Sequence, residues 1–270
     1  VKKKKEKILT EEEIEKLQEK KERNRIIRKR ILRASKWLGL ILLIIGGIIY
    51  FLLSPFFNID IINVSGNEKL TKDEIISLSG IQKNQNMFKI SIKNTEQGIK
   101  SNAYIENVQV KRMLPKEIDI IVSERKENFM IEFGNGYVYI NNQGYILEVS
   151  NEKIDKPILV GLMTKEDEIK PGNRLCEEDL ERLQDVLKIM NSVEENEMNN
   201  EITRIDVTNK TNYKLVLEKD GKTIHLGDTS NLSTKIVYAK EVLVKTSEEQ
   251  GEIFVNNDVE TNGAIFRKKV

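Results

Sequence analysis

The stretch Trp37–Phe57 reads WLGLILLIIGGIIYFLLSPFF and contains no charged residue over 21 positions. As an α-helix it would be about 31 Å long, close to the hydrocarbon thickness of a bilayer. A buried helix of a soluble protein seldom stays apolar on all sides for that length. The run is also too long for a secretion signal and lacks an A-x-A-like cleavage site. The sequence therefore predicts an uncleaved transmembrane helix over 37–57.

The charges on either side of this stretch predict its orientation. Residues 1–36 hold 15 Lys and Arg against 7 Glu, whereas residues 58–270 hold 29 Lys and Arg against 36 Asp and Glu. Positively charged flanks stay in the cytoplasm. We therefore expect a single-pass protein of the cell membrane, with a cytoplasmic basic arm over 1–36 and 213 extracytoplasmic residues after the span.

The basic arm is expected to be largely helical and solvated. Its Lys2–Lys5 run raises the alternative of nucleic-acid binding, but six Glu residues over 11–22 would repel phosphate. Attraction of Arg28–Lys36 to anionic lipid headgroups is the simpler interpretation. The predicted partner of this segment is the lipid bilayer, and no nucleic acid is expected.

Residues 58–125 show the pattern strand, helix, helix, strand, strand. A β-branched strand over 57–65 ends at a Gly-Asn turn pair, and a helix follows with Thr71 as N-cap and Glu74 completing a capping box. A weaker helix covers 91–102, and a hairpin turns at Met113–Lys116, where a proline suits the turn. Two helices packed on a small mixed sheet form an α+β unit.

Residues 126–258 are predicted to form a second, mainly β domain. Strand patterns alternate with hairpin signals such as Gly134-Asn135-Gly136, and an amphipathic helix covers Glu177–Asn191. The tract Ser192–Glu201 reads as an acidic loop. The predicted strands are 129–133, 137–140, 145–149, 157–161, 202–207, 213–217, 223–226 and 251–255, with a second helix from 232 to about 244.

Four short strings in the first outer unit resemble those of a known family. They are Ile62-x-Val64-x-Gly66-Asn67, the Leu-Thr-x-x-Glu-Ile helix start at 70–75, Val108-x-Val110-x-Arg112-x-x-Pro115, and Val122-x-Glu124-Arg125. Their order and spacing, directly outside one predicted span, resemble the POTRA domain of the bacterial division proteins FtsQ/DivIB. The segment Leu226-Gly227-Asp228 followed by Leu232-x-x-Lys235-Ile236 resembles a second family pattern. Ile253–Asn256 departs from the family's I-D-L-R-like string, because acid and base are both absent.

This resemblance implies the architecture and the function. The fold class would be α+β, with a POTRA domain over 58–125, a mixed β domain with flanking helices over 126–258 and a short C-terminal tail over 259–270. The protein would be a non-enzymatic scaffold of the division complex at the septum. Its partners would be single-span coiled-coil proteins like FtsB/DivIC and FtsL, and components of septal peptidoglycan synthesis.

The sequence contains no recognisable catalytic or metal-binding motif. It has no G-x-x-x-x-G-K-S/T, H-E-x-x-H, G-x-S-x-G or S-x-x-K with its partner motifs. His225, the only histidine, is interpreted as a satisfied structural imidazole, and the sole cysteine, Cys176, as a partly buried small residue. The acidic runs Glu166–Glu168 and Glu177–Asp179 are interpreted as solvated charges, since neither has EF-hand spacing. No cofactor is expected.

Binding must then account for the function, and sheet edges are the natural sites. Unpaired N–H and C=O groups at an edge accept a partner strand. One candidate edge is that of the POTRA sheet, for which an edge covered by loops is an equally good interpretation. The other is Gly251–Val255, predicted as the last strand. The resemblance to FtsQ/DivIB favours pairing at the second of these edges. The partner-binding residues that it implies are Lys235, Ile253, Phe254, Val255 and Asn256.

Two other functional classes stay open at this stage. A membrane-anchored POTRA protein could serve secretion or polypeptide handling, although such proteins usually carry tandem POTRA units or a barrel. An anchored cell-wall hydrolase or synthase would show activity on peptidoglycan.

Overall fold

The computed structural model describes residues 11–198 and 201–269, so the Lys2–Lys5 run lies outside the described residues. One long helix precedes a three-stranded sheet and a nine-stranded sheet. The helices are α1 (Glu11–Leu52), α2 (Lys72–Ser79), α3 (Ile92–Lys100), α4 (Glu177–Glu195), α5 (Leu232–Lys245) and α6 (Val259–Asn262). The strands are β1 (Ile61–Ser65), β2 (Ile105–Met113), β3 (Glu117–Glu124), β4 (Phe129–Phe133), β5 (Gly136–Ile140), β6 (Ile146–Ser150), β7 (Ile158–Val160), β8 (Arg204–Asp206), β9 (Tyr213–Leu217), β10 (Lys222–Gly227), β11 (Gly251–Phe254) and β12 (Ile265–Lys268).

Helix α1 joins the basic arm to the apolar stretch without a break. Its segment Gln18–Leu52 is long and apolar enough to cross a membrane, and its side chains are exposed except at its end, where Leu52 packs against the core of the next domain. The helix ends at Leu52, whereas the apolar stretch continues to Phe57. The reason is local: Pro55 starts a short 3₁₀ turn, Pro55–Phe57, which leads the chain into the next domain. The long apolar helix is consistent with a single-pass membrane anchor.

The end of α1 is attached directly to the first outer domain. The Asn86 side-chain amide donates hydrogen bonds of 3.0 Å to the carbonyl oxygens of both Leu52 and Ser54. Phe57 is only 7% exposed and packs edge-on against Phe88, with ring centroids 5.2 Å apart. The side chain at the end of the predicted span is therefore part of the core of the folded domain. These contacts set the orientation of the domain relative to the helix.

The first outer domain has the predicted β-α-α-β-β order. Its sheet has the strand order β1-β3-β2, with β1 parallel and β2 antiparallel to β3, and α2 and α3 pack against it. The capping box of α2 is present: the Thr71 hydroxyl accepts from the Glu74 N–H, and the Glu74 carboxylate accepts from the Thr71 N–H at 2.8 Å. Strand β1 begins at Ile61, later than the predicted start at 57, because the preceding residues complete the exit from α1.

Two signature residues of this domain have structural roles. Gly66 has a φ of 83°, and a Cβ atom there would collide with the carbonyl oxygen of Val122. The Glu124 carboxylate accepts hydrogen bonds of 2.6–3.1 Å from the three backbone N–H groups of residues 68–70. The loop between β1 and α2 is thereby held against the end of β3. This part of the family-like pattern supports the fold.

A polar cluster joins the two outer domains. The Tyr104 hydroxyl lies 2.7 Å from Glu148 Oε2 and 3.0 Å from Glu127 Oε1, and Lys69 Nζ lies 2.9 Å from the same Glu127 oxygen. Lys69 and Tyr104 belong to the first domain, and the two glutamates follow it in the chain. Burial, followed by the hydrogen bond to Glu148, raises the pKa of Tyr104. The hydroxyl therefore stays protonated and available to bridge the domains.

The second outer domain is built on the nine-stranded mixed sheet. The strand order is β12-β11-β10-β9-β8-β7-β4-β5-β6, and three of the pairs, β10–β11, β4–β7 and β7–β8, are parallel. Buried residues of α4 and α5 pack against inward-facing strand residues to form one large hydrophobic cluster. The helix residues include Leu183 and Ile189 of α4 and Ile236 of α5. A smaller cluster of Met130, Tyr139 and Ile158 forms separately. The predicted mixed β domain with flanking helices is confirmed.

Two boundaries in the second domain differ from the sequence prediction. Helix α4 continues to Glu195, so the first part of the predicted loop 192–201 is helical, because Ser192 and Val193 face the core. Residues 199 and 200 of that tract lie outside the described residues. The predicted tail 259–270 instead contains α6 and β12, since Ala264 and Phe266 pack against the core of the domain.

The contact between α2 and α3 predicts an unusual effect of a helix-favouring substitution. A Cβ atom at Gly98 would lie 2.5 Å from the carbonyl oxygen of Leu78. Gly98→Ala should therefore destabilise the domain by about 1–3 kcal/mol, although alanine is normally favoured over glycine inside a helix. Chemical denaturation of the full-length protein in detergent would measure this. Lys93→Ala, on the exposed face of the same helix, is the matched control and should change stability little; equal effects of the two substitutions would contradict the packing argument.

Candidate partner-binding surface

The corner formed by β10, β11 and β12 contains four of the five predicted binding residues in or beside β11. Strand β11 lies parallel to β10 on one side and antiparallel to β12 on the other. The prediction that Gly251–Val255 is the last strand, with a free edge, is therefore wrong. The chain reverses after α6 through Gly263, whose φ is 68°, and β12 then covers the outer side of β11.

The structure places the four predicted residues of this segment in different environments. Ile253 and Val255 are fully buried in the core of the domain, and the Val255 N–H donates to the His225 carbonyl at 3.0 Å. Phe254 is half-buried, and Asn256 is exposed. Only Phe254 and Asn256 therefore present side-chain surface without a local rearrangement. The role of these residues in partner binding stays a prediction.

Lys235 lies at the start of α5 with its side chain only 7% exposed. Its ammonium group lies 3.1 Å from both the backbone carbonyl and the Oδ1 carboxylate oxygen of Asp228. Hydrogen bonds from Ser230, followed by the one from Lys235, lower the pKa of Asp228 to about 2. Lys235 therefore holds the loop that leads into α5. It also lines a polar cleft together with Asn256, which brings these two predicted residues together.

His225 on β10 lies next to the exposed side of this corner. Its ring stacks on that of Phe254, with the two centroids 4.4 Å apart. The Arg267 guanidinium lies 4.9 Å from the centroid of the same Phe254 ring. The buried Nε2 atom has no hydrogen-bond partner among the described residues, and the Glu252 carboxylate is 3.8 Å away. The predicted structural position is therefore correct, but the imidazole is not fully satisfied. Burial lowers its pKa, and Glu252 opposes this shift.

The free edge at this end of the sheet is β12. The Lys269 N–H donates to the Gln250 carbonyl at 2.9 Å, and the strand pairing places Arg267 opposite Glu252. Backbone groups alternate in an antiparallel pair, so those of Phe266 and Lys268 point away from β11. Sequence reasoning missed this strand because it follows a turn-rich segment and is only four residues long. The β-branched and aromatic pair Ile265-Phe266, directly after Gly263, was the available signal.

The other candidate chemical sites have structural explanations. Among the described residues, no group of three or more His, Cys, Asp and Glu side chains could hold a metal ion. Asp179 is not a solvated charge as predicted: it is fully buried and accepts hydrogen bonds from the backbone of Met163 and from both the backbone and hydroxyl of Thr164. Cys176, a partly buried free thiol, is the N-cap residue of α4.

Two family models match the chain, one on each outer domain. Residues 57–125 match the model described as POTRA domain, FtsQ-type. Residues 131–253 match the model described as FtsQ/DivIB, C-terminal related. The second match ends within β11, so it does not include β12.

Similar proteins are named as cell division proteins. The cell division protein DivIB of Clostridium tetani is 30% identical over 217 residues, which cover 79% of this chain and 81% of the relative. DivIB of Clostridium botulinum strain Hall is 27% identical over 247 residues, covering 90% of this chain and 95% of the relative. DivIB of Staphylococcus aureus is 24% identical over 193 residues, covering 70% and 40% of the two chains.

The environment of His225 predicts a pH dependence of stability. In the folded protein, burial lowers the pKa of His225 below its usual value of 6.5. The unfolded chain therefore binds the imidazole proton more readily. The contribution of this residue is therefore present above about pH 6.5 and is lost as the pH falls through the lowered folded-state pKa. His225→Gln should lose less stability than the parent protein between about pH 7 and about pH 5, measured by thermal unfolding. At higher pH the two curves should run parallel; parallel curves throughout would contradict the assignment.

Proposed function

The chain belongs to the FtsQ/DivIB family of bacterial cell division proteins, and we propose that it is a membrane-anchored, non-enzymatic scaffold of the division complex. In this role it binds other single-span division proteins at the septum and promotes assembly of the septal peptidoglycan synthesis machinery. The observation that carries the proposal is the pair of family matches, in order, on two domains that follow one long apolar helix.

The proposed topology has the basic arm in the cytoplasm and both outer domains outside the membrane. Support comes from Arg23–Lys36, which carries seven Lys and Arg and no acidic residue immediately before the apolar stretch. The first folded domain follows the helix within a few residues, so in this topology it would lie beside the outer surface of the membrane. In this topology the nine-stranded sheet would be outside the membrane, on the same side as the outer parts of other single-span proteins.

Strand addition at β12 is the proposed mode of partner binding. Within the part of the chain that the structure describes, the outward backbone groups of Phe266 and Lys268 have no strand partner, and the side chains of Arg267 and Lys268 are exposed. A partner segment with acidic side chains would complement these two cations. Proteins like FtsB/DivIC and FtsL are the proposed partners, with septal synthase components as further ones. Phe254 and Asn256 would border the docked strand, while Ile253, Val255 and Lys235 support it from within.

The matches also favour this role over the alternative POTRA function. The first domain matches the FtsQ-type POTRA model in particular, and the second matches a model specific to FtsQ/DivIB. A role in secretion or polypeptide handling has no comparable support. Recovery of translocation components, rather than division proteins, from membranes would reverse this preference.

Depletion of the protein from its native host tests the proposed function. Septation should stop while growth continues, giving filamentous cells, and fluorescently labelled septal synthesis proteins should no longer collect at midcell. Re-expression of the full-length chain should restore both. Normal division in its absence, with septal recruitment intact, would contradict a scaffold role.

A substitution at β12 tests strand addition. Lys268→Pro removes an outward backbone N–H while leaving the hydrogen bonds between β12 and β11 in place. Capture of the coiled-coil partners from solubilised membranes should weaken by roughly tenfold or more. Lys268→Ala is the matched control: it removes the same charge but retains the N–H, and should weaken capture much less. Equal capture by both variants and the parent would place the binding surface elsewhere.

A further inference from the structure

The hairpin between β2 and β3 exposes an apolar tip. Met113 is 45% exposed and Leu114 is 63% exposed, and Pro115 follows them. Exposing large apolar side chains to water is unfavourable, so two adjacent ones at a hairpin tip need an explanation. The family-like pattern in this segment includes Arg112 and Pro115 but neither Met113 nor Leu114. The exposed Met-Leu pair has no role in the core of the domain.

A short chain of hydrogen bonds connects this tip to the end of α1. Asn86 donates to the carbonyl of Leu52, the last residue of the helix. The carbonyl of the adjacent residue, Met87, accepts from Arg112 Nε at 3.0 Å, and Arg112 Nη2 also donates to the Ile90 carbonyl at 2.6 Å. Arg112 immediately precedes the apolar pair. The tip is therefore held close to the end of the long apolar helix.

Strand direction places the tip at the same end of the domain. Strand β1 leads away from the helix, and β3 runs parallel to it, with Ile61 opposite Glu117. The Asp60 N–H donates to the Lys116 carbonyl at 2.8 Å, so the start of β3 lies beside the start of β1. The turn 113–116 precedes β3 and therefore points back toward the helix end. Two independent features, the hydrogen bonds and the strand order, agree on this placement.

The residues around the tip have the chemistry of a membrane interface. Lys111 and Lys116 flank the apolar pair, and both are exposed. Lysine stems cover apolar surface while their ammonium groups reach lipid phosphates. Leu53 and Phe56, between α1 and the domain, are exposed as well. The nearest acid on β3, Glu117, accepts a hydrogen bond from Asn63 and so is directed along the sheet.

We propose that the hairpin tip Met113–Leu114 inserts into the outer leaflet of the phospholipid bilayer beside the membrane helix. The domain would then have two points of attachment to the membrane, the end of α1 and the tip. Two attachments restrict tilting of the domain, so the sheet of the second domain keeps a defined orientation above the membrane. This inference requires the membrane span but no partner protein.

The test uses the full-length protein in nanodiscs of phosphatidylcholine and phosphatidylglycerol. The one native cysteine is replaced by Cys176→Ser, a substitution that suits its N-cap position. An environment-sensitive fluorophore is then attached through Leu114→Cys or, separately, Met113→Cys. Met163→Cys is the matched control, because Met163 is 60% exposed but lies in the second domain. Emission wavelength and quenching by lipids with spin labels near the headgroup are measured for each.

The tip probes should emit at shorter wavelength than the Met163→Cys probe and be quenched several-fold more strongly by the labelled lipids. Both tip positions are solvent-exposed, so labelling should leave the domain folded, which circular dichroism can verify. Equal emission and quenching at the tip and at the control would overturn the proposal. Protection of the tip that appears only after a partner protein is added to the nanodiscs would overturn it too, because the surface would then be a protein-docking site.

Discussion

The exit of the chain from α1 is the constraint on which the outer structure depends. The uncharged part of α1 ends at Leu52, and the residues that follow fold at once into the first outer domain. Asn86 satisfies the carbonyls of Leu52 and Ser54, and Phe57 enters the core of the first domain. Unpaired carbonyl groups at a helix end are costly when water is scarce, so these two hydrogen bonds matter most near a membrane. They attach the end of α1 directly to the first outer domain.

The family-like strings of the first domain support its architecture. Gly66 permits close approach of a loop to β3, Glu124 binds the backbone of that loop, and Arg112 binds the loop beside the helix end. Arg125 donates to the carbonyls of Ala103 and Ile105 while its guanidinium lies 4.1 Å from the centre of the Tyr145 ring, in the second domain. These residues identify the family because they define its shape.

The last strand changes the interpretation of the binding surface. With β12 in place, the segment 251–255 is the second strand of the sheet, and its alternate side chains fill the core. An edge strand can accept a partner with its backbone, whereas an interior strand has already used those groups. The proposed surface therefore moves from β11 to β12. The predicted side chains keep a supporting role, since Lys235 holds the loop before α5 and Phe254 carries the stack with His225.

Local patterns in the sequence were sufficient for the long apolar helix, the β-α-α-β-β order, the capping box at Thr71 and most strands of the second domain. Each depends on residues close together in the chain, whose hydrophobic periodicity and turn chemistry act over a few positions. Tertiary structure alone decided that Phe57 joins a folded core, that α4 continues to Glu195, and that a four-residue strand closes the sheet. It also decided that Lys235 is buried and that the hairpin tip lies on the side of the first domain where α1 ends. The reason is physical: burial and edge position depend on contacts between segments that are far apart in the sequence, and a local pattern does not specify those contacts.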